Sequence, residues 1–470
     1  MNVQLTVIAA SLLLAACNNL VPNVESGLAP PSSWQSPNTE GARQDNQRWW
    51  TQFASPELDQ LIAQAQAGSH DLAAAMARVR QAQASAVIAG APLLPALTGG
   101  SNASRQKLLR GKGYSQLDAD SDNKAVDYFD ASLTASYEID FWGGRRAARD
   151  SALEGLRASE FDRATVELTL LSSVANSYTQ ALSLREQGRI AELNLANAQN
   201  VLDLVQSRYN AGSATALELA QQKSLVAAQQ RQLPQVQQQA RDAMITLAAL
   251  LGEPVQNLTL GQQSFDALHW PQITAGVPSD LLRRRPDIAS AEARLAAAKA
   301  DVVVARAAML PTVTLGASLG SGASTASDIL RSPFYNLTAG LTAPIFNNGQ
   351  LSAERDRTTA RQDELLQTYR SAIINGFADV EKALNTLHGL DQQRRWQGQE
   401  LSEAQTAFRI AQSRYQAGAE DLLTVLETQR TLYAAQDLNV QLRLARMQAS
   451  IALYKALGGS WQAPTVADMR

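Results

Sequence analysis

The stretch "FDASLTASYEIDF", residues 129–141, alternates without a break. Phe129, Ala131, Leu133, Ala135, Tyr137, Ile139 and Phe141 hold the odd places, and Asp130, Ser132, Thr134, Ser136, Glu138 and Asp140 the even ones. Successive side chains of an extended chain point to opposite faces, so this stretch predicts a strand with one apolar and one wet face. Val313, Leu315, Ala317 and Leu319 repeat the pattern against Thr312, Thr314, Gly316 and Ser318. Tyr335, Leu337, Ala339, Leu341, Ala343 and Ile345 repeat it again, and a weaker fourth strand is expected near Leu93 to Ala103. Lengths of roughly ten residues suit tilted strands that cross a membrane. A sheet packed on a soluble core alternates in the same way, so the rest of the chain must separate the two readings.

Around these strands the period changes. No proline falls between Pro95 and Pro234, or between Pro344 and Pro464. Within the first gap Ala164, Leu168, Leu171, Ala175, Tyr178 and Leu182 step by four and three, and Ala198, Leu202, Val205 and Tyr209 resume the seam. Within the second, Leu366, Tyr369, Ile373, Phe377, Val380, Leu384 and Leu387 do nearly the same, followed by Leu401, Ala404, Phe408, Ala411 and Tyr415. Such seams call for partner helices. A helix from about Gly144 to Asn210 would run roughly 100 Å at about 1.5 Å per residue, which suits a rod across the periplasm and no compact domain.

The chain is written twice. "DLAAAMARVRQAQASAVIAGAPLLP" (71–95) aligns with "DIASAEARLAAAKADVVVARAAMLP" (287–311), pairing Asp71 with Asp287, Arg78 with Arg294 and Pro95 with Pro311. "SRYNAGS" from Ser207 and "SRYQAGA" from Ser413 fall at the end of each long helix. There Gly212 and Gly418, after Tyr209 and Tyr415, fit the left-handed residue that ends a helix at little cost. The expected organisation is a signal peptide at 1–16, a lipidated N-terminal segment at 17–54, a first repeat at 55–270, a second at 271–462 and a C-terminal tail at 463–470. Each repeat reads helix, two strands, very long helix, helix. The loops "RQKLLRGKGYSQLDADSDNK" and "GSGASTASDILRS" are polar and face outward.

The N-terminus and composition set the compartment. "LTVIAASLLLAAC" is too short to span a bilayer and suits a secretory signal. Its Leu14-Ala15-Ala16-Cys17 resembles the bacterial lipobox, which makes Cys17, the single cysteine, the expected site of lipidation by chains such as palmitate. "MNVQ" has no Lys or Arg, leaving an upstream start codon or the α-amino group to supply the usual positive charge. With Asn18 and not Asp after the cysteine, the resemblance to lipoprotein sorting implies delivery to the outer membrane. A single lipidated end tethers moderately, so the rest of the chain should hold the membrane too. Net charge is −3, only 18% of residues are charged and no basic face stands out, which argues against nucleic acid.

His70, His269 and His388 are scattered without zinc-ligand spacing, and no nucleophile elbow or phosphate loop is present. "GASLGSG" (316–322) follows strand periodicity, and "RRRPD" (283–287) reads as a helix beginning at Pro286. No catalytic constellation, cofactor site or metal site is expected.

Four strands cannot close a barrel, and an open sheet edge cannot face lipid. Two chains give eight strands with a filled lumen, and three give twelve with room for a pore. The expected fold is therefore a mixed α and β membrane protein. It is a homotrimer with a twelve-stranded β-barrel, four strands per chain, continuing into a long periplasmic α-helical coiled-coil barrel.

"RWWTQFASPELDQLIAQAQAGSHDLAAAMARVRQAQA", "SYEIDFWGGRR", "LLRRRPDIASAEARLAAAKA" and "TAPIFNNGQL" resemble the TolC-like outer-membrane efflux factors. The nearest branch is the lipoprotein, NodT-type one that works with RND pumps. The resemblance covers roughly Arg48 to Gly459. It implies a trimer that docks with a periplasmic adaptor and an inner-membrane RND transporter, exporting drugs or other small toxic compounds passively through the outer membrane.

It also implies a gate at the periplasmic helix tips. Matching positions place Leu423 as the apolar constriction, with Glu427 and Arg430 as charged neighbours on the same face. Under threefold symmetry each becomes a ring: leucines narrow the pore, and acids disfavour anions. Glu420, beside Asp421, stands where some relatives carry an arginine. Glu218 matches a family acid that bonds to the neighbouring helix pair, while Gln221 and Ser224 take the places of Glu427 and Arg430. The second copy is thus the more charged tip. Two alternatives stay open: the exit duct of a type I protein-secretion machine, and a periplasmic coiled-coil lipoprotein with no pore.

Overall fold

The computed structural model describes residues 26–37, 48–107, 125–271, 273–459 and 461. Cys17, the expected signal peptide, the expected tail and most of the first loop lie outside them. Among the described residues the helices and strands run α1 (Pro56–Gly68), α2 (His70–Gly90), β1 (Ala96–Gln106), β2 (Val126–Ile139), α3 (Gly144–Asn210) and α4 (Ala216–Leu251). The series then recurs: α5 (Pro278–Arg284), α6 (Pro286–Ala307), β3 (Thr312–Ala323), β4 (Pro333–Thr342), α7 (Gln350–Gln416) and α8 (Leu422–Ala456). Helices α3 and α7 have 67 residues each, and α4 and α8 have 36 and 35. Positive-φ glycines pair off at one constant separation, Gly143 with Gly349, Gly212 with Gly418 and Gly252 with Gly458. From the start of the long helix to the end of the shorter one, the two copies are therefore in register. No described helix is long and apolar enough to cross a membrane.

The chain divides into two compact units. The first holds the strands, in one antiparallel sheet of order β1-β2-β3-β4. Its register places Leu97 opposite Ala135, Ala135 opposite Ala317 and Ala317 opposite Leu337, with Leu133, Leu319 and Tyr335 in the next row of that face. The odd residues of all four strands thus form one face, apolar except for Ser101, Ser321 and the Arg105–Asp127 ion pair at the end away from α3. It is open in the single chain, with Leu97, Leu319 and Leu337 exposed at 66%, 63% and 73%. Burying such a side chain is worth about 1.5–3 kcal/mol, so a face of this size demands a cover, and hydrocarbon is one. The even residues form a polar face. Among the described residues no strand pairs with the outer margins of β1 and β4.

The strand ends differ slightly from expectation, each for a local reason. Strand β2 stops at Ile139, short of Phe141, because the Asp140 carboxylate turns to accept the backbone N–H groups of Arg145 (2.8 Å) and Arg146 (3.0 Å) and so caps α3. Arg145 also pairs with Glu138 at 2.6 Å. Strand β4 ends at Thr342, short of Ile345, where Pro344 has no N–H to give a ladder. Strand β1 begins at Ala96, after Pro95, and runs on to Gln106. The α3 start closes on α6: a Cβ on Gly144 would lie 2.7 Å from that of Ala307.

The second unit is helical. Trp49, Phe53, Leu58 and Ile62 are buried with Tyr178 and Leu182 of α3, Leu247 of α4, and Met447 and Ile451 of α8. Trp49 stacks on Tyr454 with ring centres 5.0 Å apart. The "RRRPD" arginines include one internal strut. Arg285 is buried, donates to Asp287 (2.7 Å), Asp379 (3.0 Å) and the Ala456 carbonyl (3.1 Å), and precedes α6, which starts at Pro286. From the N-terminal segment, Trp34 donates to the Gly276 carbonyl at 2.9 Å, and the backbone amides of Gln35 and Ser36 donate to Glu381.

Candidate functional site: the helix tips

The two turns that join long helix to short helix share one backbone design. Gly212 N–H donates to the Tyr209 carbonyl (3.0 Å) and Ser213 N–H to the Arg208 carbonyl (2.8 Å). Gly418 N–H donates to the Tyr415 carbonyl (3.0 Å) and Ala419 N–H to the Arg414 carbonyl (2.9 Å). Both glycines sit at φ +76°, where a side chain would be strained, and the paired bonds satisfy helix-end carbonyls.

The next helices start differently. At α4, Thr215 and Glu218 cap each other: the Glu218 amide donates to the Thr215 hydroxyl (3.2 Å), and the Thr215 amide donates to the Glu218 carboxylate (2.6 Å). At α8 the place of Glu218 is taken by Thr424, and Asp421 alone caps the helix, accepting from the Thr424 amide at 2.9 Å and its hydroxyl at 2.9 Å. The Thr424 amide, then its hydroxyl, hold the Asp421 carboxyl below its ordinary value.

A compact apolar cluster underlies both turns: Val201, Val205, Leu219, Phe408, Tyr415, Leu422, Val425 and Leu426. The matched tyrosines part company here. Tyr415 is 3% exposed, whereas Tyr209 is 40% exposed. Burial pushes the Tyr415 phenol up, opposed by the Arg208 charge. The Arg208 guanidinium lies 4.6 Å from the Tyr415 ring centre and donates to the Tyr415 carbonyl at 2.8 Å. Its counterpart Arg414 stays on its own turn, pairing with Glu420 at 3.2 Å and donating to the Ala419 carbonyl. Neither arginine stood out in the sequence, although the duplicated Ser-Arg-Tyr carries both.

Leu422, Val425, Leu426 and Gln429 of α8 face the cluster, and Leu423, Glu427 and Arg430 share the exposed face. Leu423 is 53% exposed, and its counterpart Leu217 is 67% exposed. Among the described residues, Glu427 and Arg430 form no ion pair within the chain. Glu420 is committed to Arg414 and also accepts from the Thr424 hydroxyl (3.3 Å), and Glu218 is committed to its cap. The second tip therefore presents one exposed leucine, one acid and one base, all available to another copy of the chain.

Known proteins resemble the chain along this whole plan. The family model described as outer membrane efflux protein matches residues 61–253 and 277–459, one match on each repeat. The pyoverdine export outer membrane protein OpmQ of Pseudomonas aeruginosa is 64% identical over 460 residues, covering 98% of this chain and 97% of that protein. The cation efflux system protein CusC of Escherichia coli is 32% identical over 426 residues, covering 89% of each. The open-state MtrE outer membrane channel of Neisseria gonorrhoeae superposes with a TM-score of 0.84 at 26% identity, over 94% of this chain and 98% of that one. With both repeats matched and relatives similar over almost their full length, the chain belongs to the outer membrane efflux protein family.

Proposed function

We propose that this chain exports a pyoverdine-type siderophore, as the outer-membrane conduit of a tripartite efflux system, and closes at its helix tips. The observation that carries the substrate is the 64% identity, across 98% of the chain, to a pyoverdine export protein. The conduit follows from the sheet. Its apolar face needs lipid, and its two unpaired margins need other copies, so three chains close a twelve-stranded barrel around the polar face. Each repeat, 55–270 and 271–462, supplies one β-hairpin. The energy comes from an inner-membrane transporter reached through a periplasmic adaptor.

At the tips, threefold symmetry turns Leu423 into an apolar constriction flanked by rings of Glu427 and Arg430. Glu420 and Asp421 support it by anchoring the turn and the α8 start, and Glu218 does so at the first tip. Lipid on Cys17 adds a second hold on the outer membrane.

Deleting the gene and assaying pyoverdine by chromatography in culture medium and periplasm tests the reading. Medium pyoverdine should fall and periplasmic pyoverdine rise, both restored by the wild-type gene, with Cys17→Ser restoring less. Unchanged export would overturn it, and loss of a secreted protein in place of pyoverdine would assign the chain to protein secretion.

A further inference from the structure

The polar face of the sheet carries two aromatic rings where a pore needs open space. Phe334 stands directly opposite Gly320, and Asp130 opposite both Asn102 and Gly322. Tyr128 lies one place diagonally from Gly322 on that same face. The glycines are seats for the rings. A Cβ on Gly320 would come 2.8 Å from Phe334 Cζ, and one on Gly322 would collide with the Tyr128 hydroxyl. Tyr128 and Phe334 are each 43% exposed in the single chain, so each ring covers its glycine and still keeps open surface. Both sit at the end of the sheet away from the strand–helix junctions at Ile139 and Thr342, which is the outer mouth of the barrel. Interfacial aromatic belts of membrane barrels face lipid; these rings face the opposite side.

Charge on this face has one sign. No Lys or Arg occupies an even position of the four strands. Glu138 is neutralised by Arg145, whereas among the described residues Asp130 has only the neutral Asn102 amide, at 3.3 Å. We propose that Tyr128, Phe334 and Asp130 form a collar at the barrel mouth that binds aromatic cations in transit. The open ring faces offer stacking and cation–π contact, and Asp130 supplies the opposite charge. This rests on the conduit reading, since three copies are needed to make the collar a ring.

Single-channel recording of purified, cross-linked trimers in planar bilayers tests it, with phenyltrimethylammonium added on the side of the strand–strand loops. Wild-type current should be blocked, with tetramethylammonium and benzenesulfonate about tenfold weaker or worse. The double variant Tyr128→Leu/Phe334→Leu keeps an apolar cover on the glycines and should raise the half-blocking concentration about tenfold, as should Asp130→Asn. Current that phenyltrimethylammonium does not block, or equal block in wild type and the double variant, would overturn the collar. Trimers that carry no current even with the tips opened by Leu423→Ser would overturn the conduit and the collar with it.

Discussion

Arg208 of the first tip holds Tyr415 of the second, through a carbonyl bond of 2.8 Å and a ring contact of 4.6 Å. The pair ties the last turn of α3 to the last turn of α7, where a cation also offsets the partial negative charge of a helix C-terminus. The matched arginine, Arg414, makes no such crossing and closes on Glu420 instead. The two turns share a backbone but divide the labour, one bracing its neighbour and the other bracing itself.

Removing that brace should loosen the tips. Arg208→Ala deletes a charge-assisted hydrogen bond and a cation–π contact, together on the order of 2 kcal/mol. Larger single-channel conductance and greater entry of bulky antibiotics are expected. Arg414→Ala should do much less, because its ion pair is largely exposed. Equal effects of the two variants would show that the crossing is not the brace.

Leu423→Ser is expected to widen the proposed constriction, raising conductance in planar bilayers. Leu217→Ser, at the matched and even more exposed place, should change it less if the charged second tip lines the narrowest point. A ranking in the reverse order would move the gate to the first tip.

Acid should weaken the α8 start. The Asp421 carboxyl is held below its ordinary value by the Thr424 amide and hydroxyl, so its folded-state pKa is depressed. A depressed carboxyl contributes stability that is complete above its unfolded value, near 3.8, and is lost as pH falls through the folded one. Protection of the first-turn amides of α8, taken against their intrinsic exchange rate at each pH, should therefore fall below about pH 4 in the wild type. Asp421→Asn, which still caps but does not titrate, should abolish that dependence.

Arg285→Met should destabilise the helical unit. It strands the Ala456 carbonyl and leaves Asp287 and Asp379 without their shared cation. Loss of one partner from a buried pair costs several kcal/mol, but both acids are substantially exposed, so about 2 kcal/mol is expected. Thermal melting by circular dichroism at a fixed scan rate should show a lower midpoint, with the pore properties unchanged.

Strong periods made most of this fold legible in the sequence. The long helix expected from Gly144 to Asn210 is α3 to the residue, since seams of Leu and Ala over many turns have no rival pattern. The strands were legible as faces but not at their ends, because Asp140 acts through two capping hydrogen bonds and Pro344 through the one it lacks, and alternation registers neither. Position along the tips was legible too: Leu423, Glu427 and Arg430 do share an exposed face. The Arg208 crossing was not, as two identical Ser-Arg-Tyr phrases give no sign of which arginine reaches over. Nor was the Trp34 anchor, a lone aromatic in a Pro- and Ser-rich segment whose partner at Gly276 is far along the chain.

The margins of β1 and β4, unpaired among the described residues, reach beyond transport to manufacture. Each exposed backbone amide or carbonyl in hydrocarbon is an unmet debt of several kcal/mol, so one chain alone is a poor membrane solute. Insertion and oligomerisation must then be a single cooperative event whose rate rises steeply with the concentration of newly delivered subunits. Scarce subunits would wait in the periplasm, apolar face uncovered, as clients for chaperones and proteases.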